Sequence, residues 1–455
     1  MARPLLAGAC ALGLLILTAL SAAADAPAPR PLAAGLPAYV APADPEAAPA
    51  LPPEPLGALT LADALAAALA RSPALAAFSW ELRAREAAQL QAHARPNPEL
   101  RAELEDFAGS GEFSGFDAAQ TTLSISQLLE LGGKRSRRIE RAALARDLAA
   151  WDYETARLSV VTSTADAFFE VLALQQRLEL AQESREIADE AVRAVEATVR
   201  AGAVSPVEAA RARVARERAA IEQTTIGHRL EAARVALAAQ WGESEPRFAR
   251  ALGDLHALAE PPALTALLPL AQESPELARF ATERAERRAA LDVERSRGTQ
   301  DVRVGLGGRH HADGDDGALV AELSVPLPLF DRNRGNVLEA RYRLRRVESE
   351  ERAAETAIGS ALRAGHQRLV RAFEEARALR ERALPEAESA FAGARAAWRS
   401  GLLRYVEVLD TQRTLFALRN DEVDALAAYH AARAELEGLT GTPLEAAATH
   451  GETRP

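Results

Sequence analysis

The chain has 455 residues, 48% of them apolar but only 5% aromatic, and a formal net charge of −11. A modest negative charge spread along the chain argues against a nucleic-acid partner. An Ala/Arg-rich composition with few aromatics favours helices packed through thin faces over one bulky globular core.

In chain order, the first element is a targeting signal. Arg3 precedes the apolar run Leu12–Leu20, and Ala22-Ala23-Ala24 supplies small residues for cleavage, so residues 1–24 read as a secretory signal peptide. Cys10 raises the question of a lipidation site, but most of the apolar run follows it, on the wrong side. Cys10 is the one cysteine and Met1 the one methionine, so a chain cleaved near Ala24 has no disulfide and no thiolate or thioether metal site. Residues 25–57 form a Pro/Ala-rich arm, whose prolines from Pro27 to Pro55 block helix and sheet. This arm reads as an extended or disordered tether. Residues 58–242 and 263–441 read as two repeats, joined by a linker, 243–262, broken by Pro246, Gly253, Pro261 and Pro262, and followed by a flexible tail, 442–455.

The repeats are visible as paired motifs. Leu61-Ala62-Asp63-Ala64-Leu65 and Ser72-Pro73-Ala74-Leu75 return as Leu264-Thr265-Ala266-Leu267-Leu268 and Ser274-Pro275-Glu276-Leu277. Gln127–Arg135 is answered by Pro326–Arg334, and Arg200-Ala201-Gly202 by Arg399-Ser400-Gly401, both at an offset of 199 residues. A period of roughly 200 residues is too long for a solenoid unit and indicates a duplicated half-protein.

Across the two repeats four short stretches, two in each, alternate strictly. Leu100, Leu104, Leu123, Ile125, Val302, Val304, Leu306, Leu323 and Val325 alternate with polar residues that include Arg101, Glu103, Glu105, Arg303, Glu322 and Ser324. Period-two alternation predicts strands with one apolar and one polar face. Gly/Asp/Ser-rich loops at 109–117 and 310–317 make each pair a hairpin. Between the hairpins, Lys134–Arg200 contains no proline and Gly335–Ser400 contains only Pro385. About 65 residues of helix extend roughly 100 Å. Leu158, Val161, Ala165, Phe168 and Leu172 step by three and four, and Leu402, Leu409, Phe416 and Val423 by seven, as in coiled-coil seams.

Taken together, the corner Gln127–Arg135, its partner Pro326–Gly335, and the turn Arg399-Ser400-Gly401 followed by Val406-Glu407-Val408-Leu409-Asp410 resemble the TolC-type outer-membrane efflux duct family. The form of the two corners is most similar to its cobalt–zinc–cadmium subclass. The resemblance implies a mainly α protomer of long coiled-coil helices forming a periplasmic α-barrel, with two β-hairpins given to a trimeric transmembrane β-barrel. It implies an outer-membrane location in a Gram-negative bacterium, a homotrimer, a periplasmic adaptor, an inner-membrane RND-type transporter as indirect partner, and no cofactor. The nine apolar strand residues would then face lipid, and Arg101, Glu103, Glu105, Arg303 and Glu322 the lumen. It also implies that Glu407 and Asp410, three apart on one helix face, form an acidic periplasmic gate with Trp398. Gly202 and Gly401 would sit at adaptor-docking turns admitting close helix approach, and Gly132, Gly133, Asp331 and Asn333 at strand-to-helix corners. Leu403 departs from relatives that carry an arginine there to link neighbouring protomers.

Other readings are weaker. Gly132-Gly133-Lys134 lacks the spacing and the Ser/Thr of a phosphate loop. His310 and His311 beside Asp313, Asp315 and Asp316 would make only a weak metal site, and a solvated loop tip explains them better. His93, His228, His256, His366 and His430 are scattered without ligand spacing, and no catalytic arrangement points to an enzyme. A multidrug or type I secretion duct would share the architecture. A periplasmic coiled-coil scaffold would explain the helices but leave the hairpins with unpaired edges.

Overall fold

The computed structural model describes residues 28–314 and 316–445; the expected signal peptide, Cys10, Asp315 and residues 446–455 lie outside the described residues. Strand β1 (Gly57–Thr60) leads into α1 (Leu61–Arg71) and α2 (Pro73–Ala92). The hairpin β2 (Glu99–Glu105) and β3 (Gln120–Leu129) follows, then α3 (Lys134–Arg200) and the returning α4 (Pro206–Ala239). After β4 (Phe248–Leu252) the pattern repeats as α5 (Leu264–Gln272), α6 (Pro275–Arg297), β5 (Val302–His311), β6 (Asp316–Ser324) and α7 (Arg334–Ala378). A π-helical segment, Leu379–Ala383, joins α7 to α8 (Leu384–Arg399), and α9 (Tyr405–Thr440) returns. Among the described residues, no single helix is long and apolar enough to cross a membrane.

The repeated Ser-Pro dipeptides are helix starts. The Ser72 hydroxyl accepts from the Leu75 N–H and the Ser274 hydroxyl from the Leu277 N–H, each with proline at the first helical position. Serine satisfies an amide that has no partner in the helix, and proline brings none.

The sheet order is β2-β3-β5-β6, antiparallel throughout. Pairings Arg101↔Ser124, Glu103↔Thr122, Ser126↔Gly305 and Gly305↔Glu322 put the polar set on one face. Leu100↔Ile125↔Leu306↔Ala321 put the apolar set on the other. Leu100, Leu306, Leu319 and Leu323 are 74%, 69%, 95% and 72% exposed, so the apolar face has no cover among the described residues. The helices follow the strands: beside the sheet α2 lies on α3, α3 on α6 and α6 on α7, while farther away α4 lies on α3, α3 on α9 and α9 on α8. Leu158, Val161, Ala165, Phe168 and Leu172 are all buried, as their spacing predicts. Leu409, Phe416 and Val423 are buried too, but Leu402 is 80% exposed because it lies in the turn before α9 begins.

Four expectations are corrected. The described part of the arm, 28–56, is extended but not loose: Tyr39 and Ala41 are buried against α1, α2 and α3, whose main-chain and side-chain groups bond the arm's backbone at both residues. The linker 243–262 contains β4, which pairs in parallel with β1 and buries Phe248 against Trp241, since its prolines flank the strand rather than enter it. The tail is held as far as it is described: Leu444 is buried and Glu445 sits 2.9 Å from Arg433. His310 and His311 belong to β5, not to a loop, because pairing with β6 continues to His311↔Asp316.

One buried histidine ties the linker to α9. His430 stacks on Phe169 at 4.0 Å and places Nε2 2.9 Å from the Leu255 carbonyl oxygen, while Nδ1 has no partner among the described residues. Burial, aided by the nearby Arg433 charge, holds its pKa below the ordinary value, against the opposing pull of the Leu255 carbonyl and Asp254. The folded state therefore binds fewer protons there than the unfolded state, and stability contributed by the neutral ring is full above about pH 6.5 and lost as pH falls. Thermal midpoints followed by circular dichroism are expected to drop between pH 7.5 and 5, and to drop less in His430→Phe; equal pH slopes would refute the assignment.

Candidate functional site at the helix tips

Each long helix pair ends in the same turn. The Ala203 N–H donates to Thr198 O and the Gly202 N–H to Val199 O, and the Leu402 and Gly401 amides repeat this with Ala397 and Trp398. Both are Schellman caps, which need a left-handed residue. Gly202 has φ +74° and Gly401 φ +76°. A Cβ at either would meet nothing within 4 Å. The glycines are therefore required by backbone conformation and not, within the protomer, by the close helix approach expected for them. The tips project apolar side chains into solvent: Val204, Val207, Leu402 and Leu403 are 39%, 57%, 80% and 37% exposed.

The acidic pair lies on the second tip, and its two members differ. Glu407 is the third residue of α9, and its carboxylate accepts the Arg404 N–H at 2.5 Å, with the Arg404 guanidinium 3.7 Å away. Glu407 thus serves as a helix cap as well as a charge. Asp410, one turn on, is exposed. In the first repeat the matching positions are Glu208 and Arg211, which bond to each other at 3.3 Å. Only the second repeat presents two adjacent acids.

Trp398 packs over the turn onto Tyr405, ring centroids 5.7 Å apart. With Phe391, Ile187 and Ala194 they line a cavity of about 320 Å³ between α3, α8 and α9. Tyr405 went unnoticed in the sequence, yet it is 4% exposed and its hydroxyl has no hydrogen-bond partner among the described residues. Burial pushes its pKa up to about 12, with a further upward pull from Glu208 and a downward one from Arg413. The signal available was comparison of the repeats, where Tyr405 occupies the first helical position that Pro206 holds in the other copy.

The corners are built differently on the same plan. Gly133 caps α3 with φ +71° and Asn333 caps α7 with φ +57°, both left-handed. A Cβ on Gly132 would fall 2.8 Å from Thr299, so α3 starts hard against the end of α6. Lys134 bonds Asp301 at 2.7 Å. Asp331 accepts the Asn333 N–H at 2.8 Å, and the Asn333 amide donates to Glu294 O at 2.6 Å. The loop Gly132-Gly133-Lys134 is therefore occupied by the protein's own contacts.

On the polar face of the sheet, opposite charges interleave. Arg303 meets Glu99 at 2.5 Å, Arg309 meets Glu105 at 3.3 Å, and Arg101 lies 3.4 Å from Glu103 and 4.0 Å from Glu322. Glu99 and Arg309 join the expected set. Among the described residues, no three His, Cys, Asp or Glu side chains gather as a metal cage; His310 and His311, adjacent in β5, lie on opposite faces of the sheet.

Comparison with known proteins agrees with this arrangement. Residues 64–243 and 269–442 each match the outer membrane efflux protein family. The chain is 35% identical over 393 residues to the cobalt-zinc-cadmium resistance protein CzcC of Cupriavidus metallidurans, covering 86% of this chain and 92% of that one. Its fold is similar to the CmeC outer membrane channel of Campylobacter jejuni (TM-score 0.70, 16% identity, 84% of this chain and 85% of that one). It is also similar to the outer membrane protein VceC of Vibrio cholerae (TM-score 0.65, 18% identity, 84% and 96%). Matched in both repeats and along nearly the whole of a relative, the chain belongs to the outer membrane efflux protein family, with its four-stranded sheet in the outer membrane and its helical part in the periplasm.

Proposed function

We propose that the protein is the outer-membrane exit duct of a three-part pump that expels divalent heavy-metal cations. The observation that carries this reading is the 35% identity to a cobalt-zinc-cadmium resistance protein across 92% of that protein's length. A four-stranded sheet leaves β2 and β6 with unpaired edges, and such edges do not survive in lipid. The same edges recur in the helical layer at α2 and α7, and toward the tips at α4 and α8. Three copies joined edge to edge would close strands and helices together, giving three times four strands in one barrel, within the range of outer-membrane barrels. The apolar face, led by Leu100, Leu306 and Leu323, then meets lipid. Arg101, Glu103, Glu105, Arg303 and Glu322 then line water.

A wide duct carries no energy source, so an inner-membrane RND-type transporter supplies drive and selectivity. A periplasmic adaptor docks at the two tips, where Val204, Val207, Leu402 and Leu403 offer apolar contact beside Gly202 and Gly401. The gate lies at the second tip. Three copies of Glu407 and Asp410 place six carboxylates around one axis, and Trp398 backs each pair. Such a ring attracts cations and resists closing unless they or protons screen it.

Expression in a host lacking its own heavy-metal duct, together with the matching pump, is expected to restore growth several-fold in cobalt, zinc and cadmium. Restored tolerance of detergents and dyes instead would assign the duct to drug export. In planar bilayers the wild type is expected to conduct poorly, to favour cations and to be blocked from the periplasmic side by millimolar divalent ions. Glu407→Gln with Asp410→Asn is expected to lose most of the block and selectivity; unchanged values would leave the pair a solvated helix face. Gly202→Trp and Gly401→Trp each strain a left-handed residue by roughly 1–2 kcal/mol yet meet open space, so trimers are expected to persist while metal resistance is lost. Full resistance in both variants would move adaptor docking elsewhere.

A further inference from the structure

A peptide-binding site lies at the waist of the protomer, filled by the chain's own arm. Its centre is an ion pair on α3, Glu154 and Arg157, 2.7 Å apart with side chains 5% and 4% exposed. Two charges so deeply buried are costly unless each is fully engaged. Here both grip main chain from residues more than a hundred positions away. The Glu154 carboxylate accepts the Arg30 N–H at 2.8 Å. The Arg157 guanidinium donates to Leu32 O at 2.9 Å and to Arg30 O at 3.2 Å. The ion pair thus holds the arm through its backbone, while arm side chains such as Tyr39 and Leu36 pack beside it.

The remaining contacts continue along the segment. The Tyr39 N–H donates to Leu69 O at 2.8 Å, and the Tyr153 hydroxyl to Tyr39 O at 2.7 Å. The Ala41 N–H donates to the Ser79 hydroxyl at 2.7 Å, and Arg83 to Ala41 O at 3.0 Å. Pro31 and Pro37 fall between these positions, where a donor is not used. These partners belong to α1, α2 and α3, all in the first repeat. Two further contacts reach the second. The Leu32 N–H donates to Gly441 O at 3.0 Å, at the cap of α9, and the Arg30 guanidinium donates to Glu273 O at the end of α5. The fit is close, since a Cβ on Gly441 would lie 3.1 Å from Arg30 Cβ.

We infer that residues 28–41 act as a clasp, an extended peptide ligand held by the Glu154–Arg157 pair, that fastens the upper end of α9 to α3 and so joins the two repeats at the waist. The clasp holds the end of α9 opposite the acidic tip. Movement of α8 and α9 against α3 is thereby confined to the tip side of the joint. The inference rests on the duct reading only for that last consequence; binding of the segment is independent of it.

The test uses the full-length trimer in detergent and hydrogen exchange. In the wild type the amides of Arg30, Leu32, Tyr39 and Ala41 are expected to be protected. In Arg157→Met, protection of Arg30 and Leu32 is expected to fall at least tenfold while amides in the interior of α3 keep theirs. A chain lacking residues 28–41 is expected to show a lowered thermal midpoint that a synthetic peptide of residues 28–44 restores. The peptide is expected to fail on the same deletion carrying Arg157→Met. Unprotected arm amides in the wild type, or equal protection in wild type and Arg157→Met, would overturn the clasp. So would an arm-deleted chain whose midpoint is unchanged or unmoved by the peptide. Exchange of the arm between differently labelled protomers would overturn the intramolecular form in favour of a clasp passed between copies.

Discussion

Unpaired main-chain groups at the edges of one small sheet dictate the rest of this molecule. In water an open edge of β2 or β6 is a liability; in hydrocarbon it is prohibitive, because nothing there replaces the missing hydrogen bonds. The chain solves this by repetition at two levels. Duplication supplies two hairpins of one pattern, and the order β2-β3-β5-β6 makes each end of the sheet a match for the other end of a further copy. The helices inherit the same order because every strand runs into, or out of, one of them. Sheet and helical layer therefore leave their open sides in the same places, and a single association closes both.

The two repeats share geometry while their chemistry has diverged. Both tips use a Schellman turn around a left-handed glycine. Both corners use a left-handed cap, glycine in one and asparagine in the other. Divergence is concentrated at the tips, where Glu208 and Arg211 neutralise each other in one copy while Glu407 stands near an exposed Asp410 in the second. Similarly, Pro206 in the first copy becomes Tyr405 in the second, which buries an aromatic ring between α3, α8 and α9. Duplication supplied the frame, and a few exchanges at one end made the halves unequal.

Most of the frame was legible in the sequence because it is written in local rules. Period-two alternation sorted the strand faces correctly, and the span Lys134–Arg200 is bounded by glycines on both sides. What escaped local rules depended on distant partners. The arm's prolines forbid regular structure, and nothing nearby announces that Glu154 will hold the Arg30 amide across 124 positions. Likewise β4 is strand only because β1 lies beside it. The exposure of Leu402 shows the opposite error, a heptad continued one step too far into a turn. The acidic pair was visible as two charges. The capping duty of Glu407 required seeing where α9 begins.

The π-helical segment Leu379–Ala383 has a bearing on the tunnel mouth. Upstream the buried seam recurs every seven residues at Leu362, Leu369 and Ala376. Beyond the segment it resumes at buried Leu384 and half-buried Phe391 and Trp398, again seven apart, but the step across the segment is eight. One wide turn has absorbed a surplus residue, which in an unbroken α-helix would rotate everything after it by about 100°. Trp398, roughly 25 Å farther along the axis, points into its cavity only because that rotation is cancelled. The angular setting of Trp398 is thus fixed by a fault in helical winding several turns before it. Insertions and deletions in this stretch act as changes of phase, and their effect appears at the second tip, several turns farther along α8.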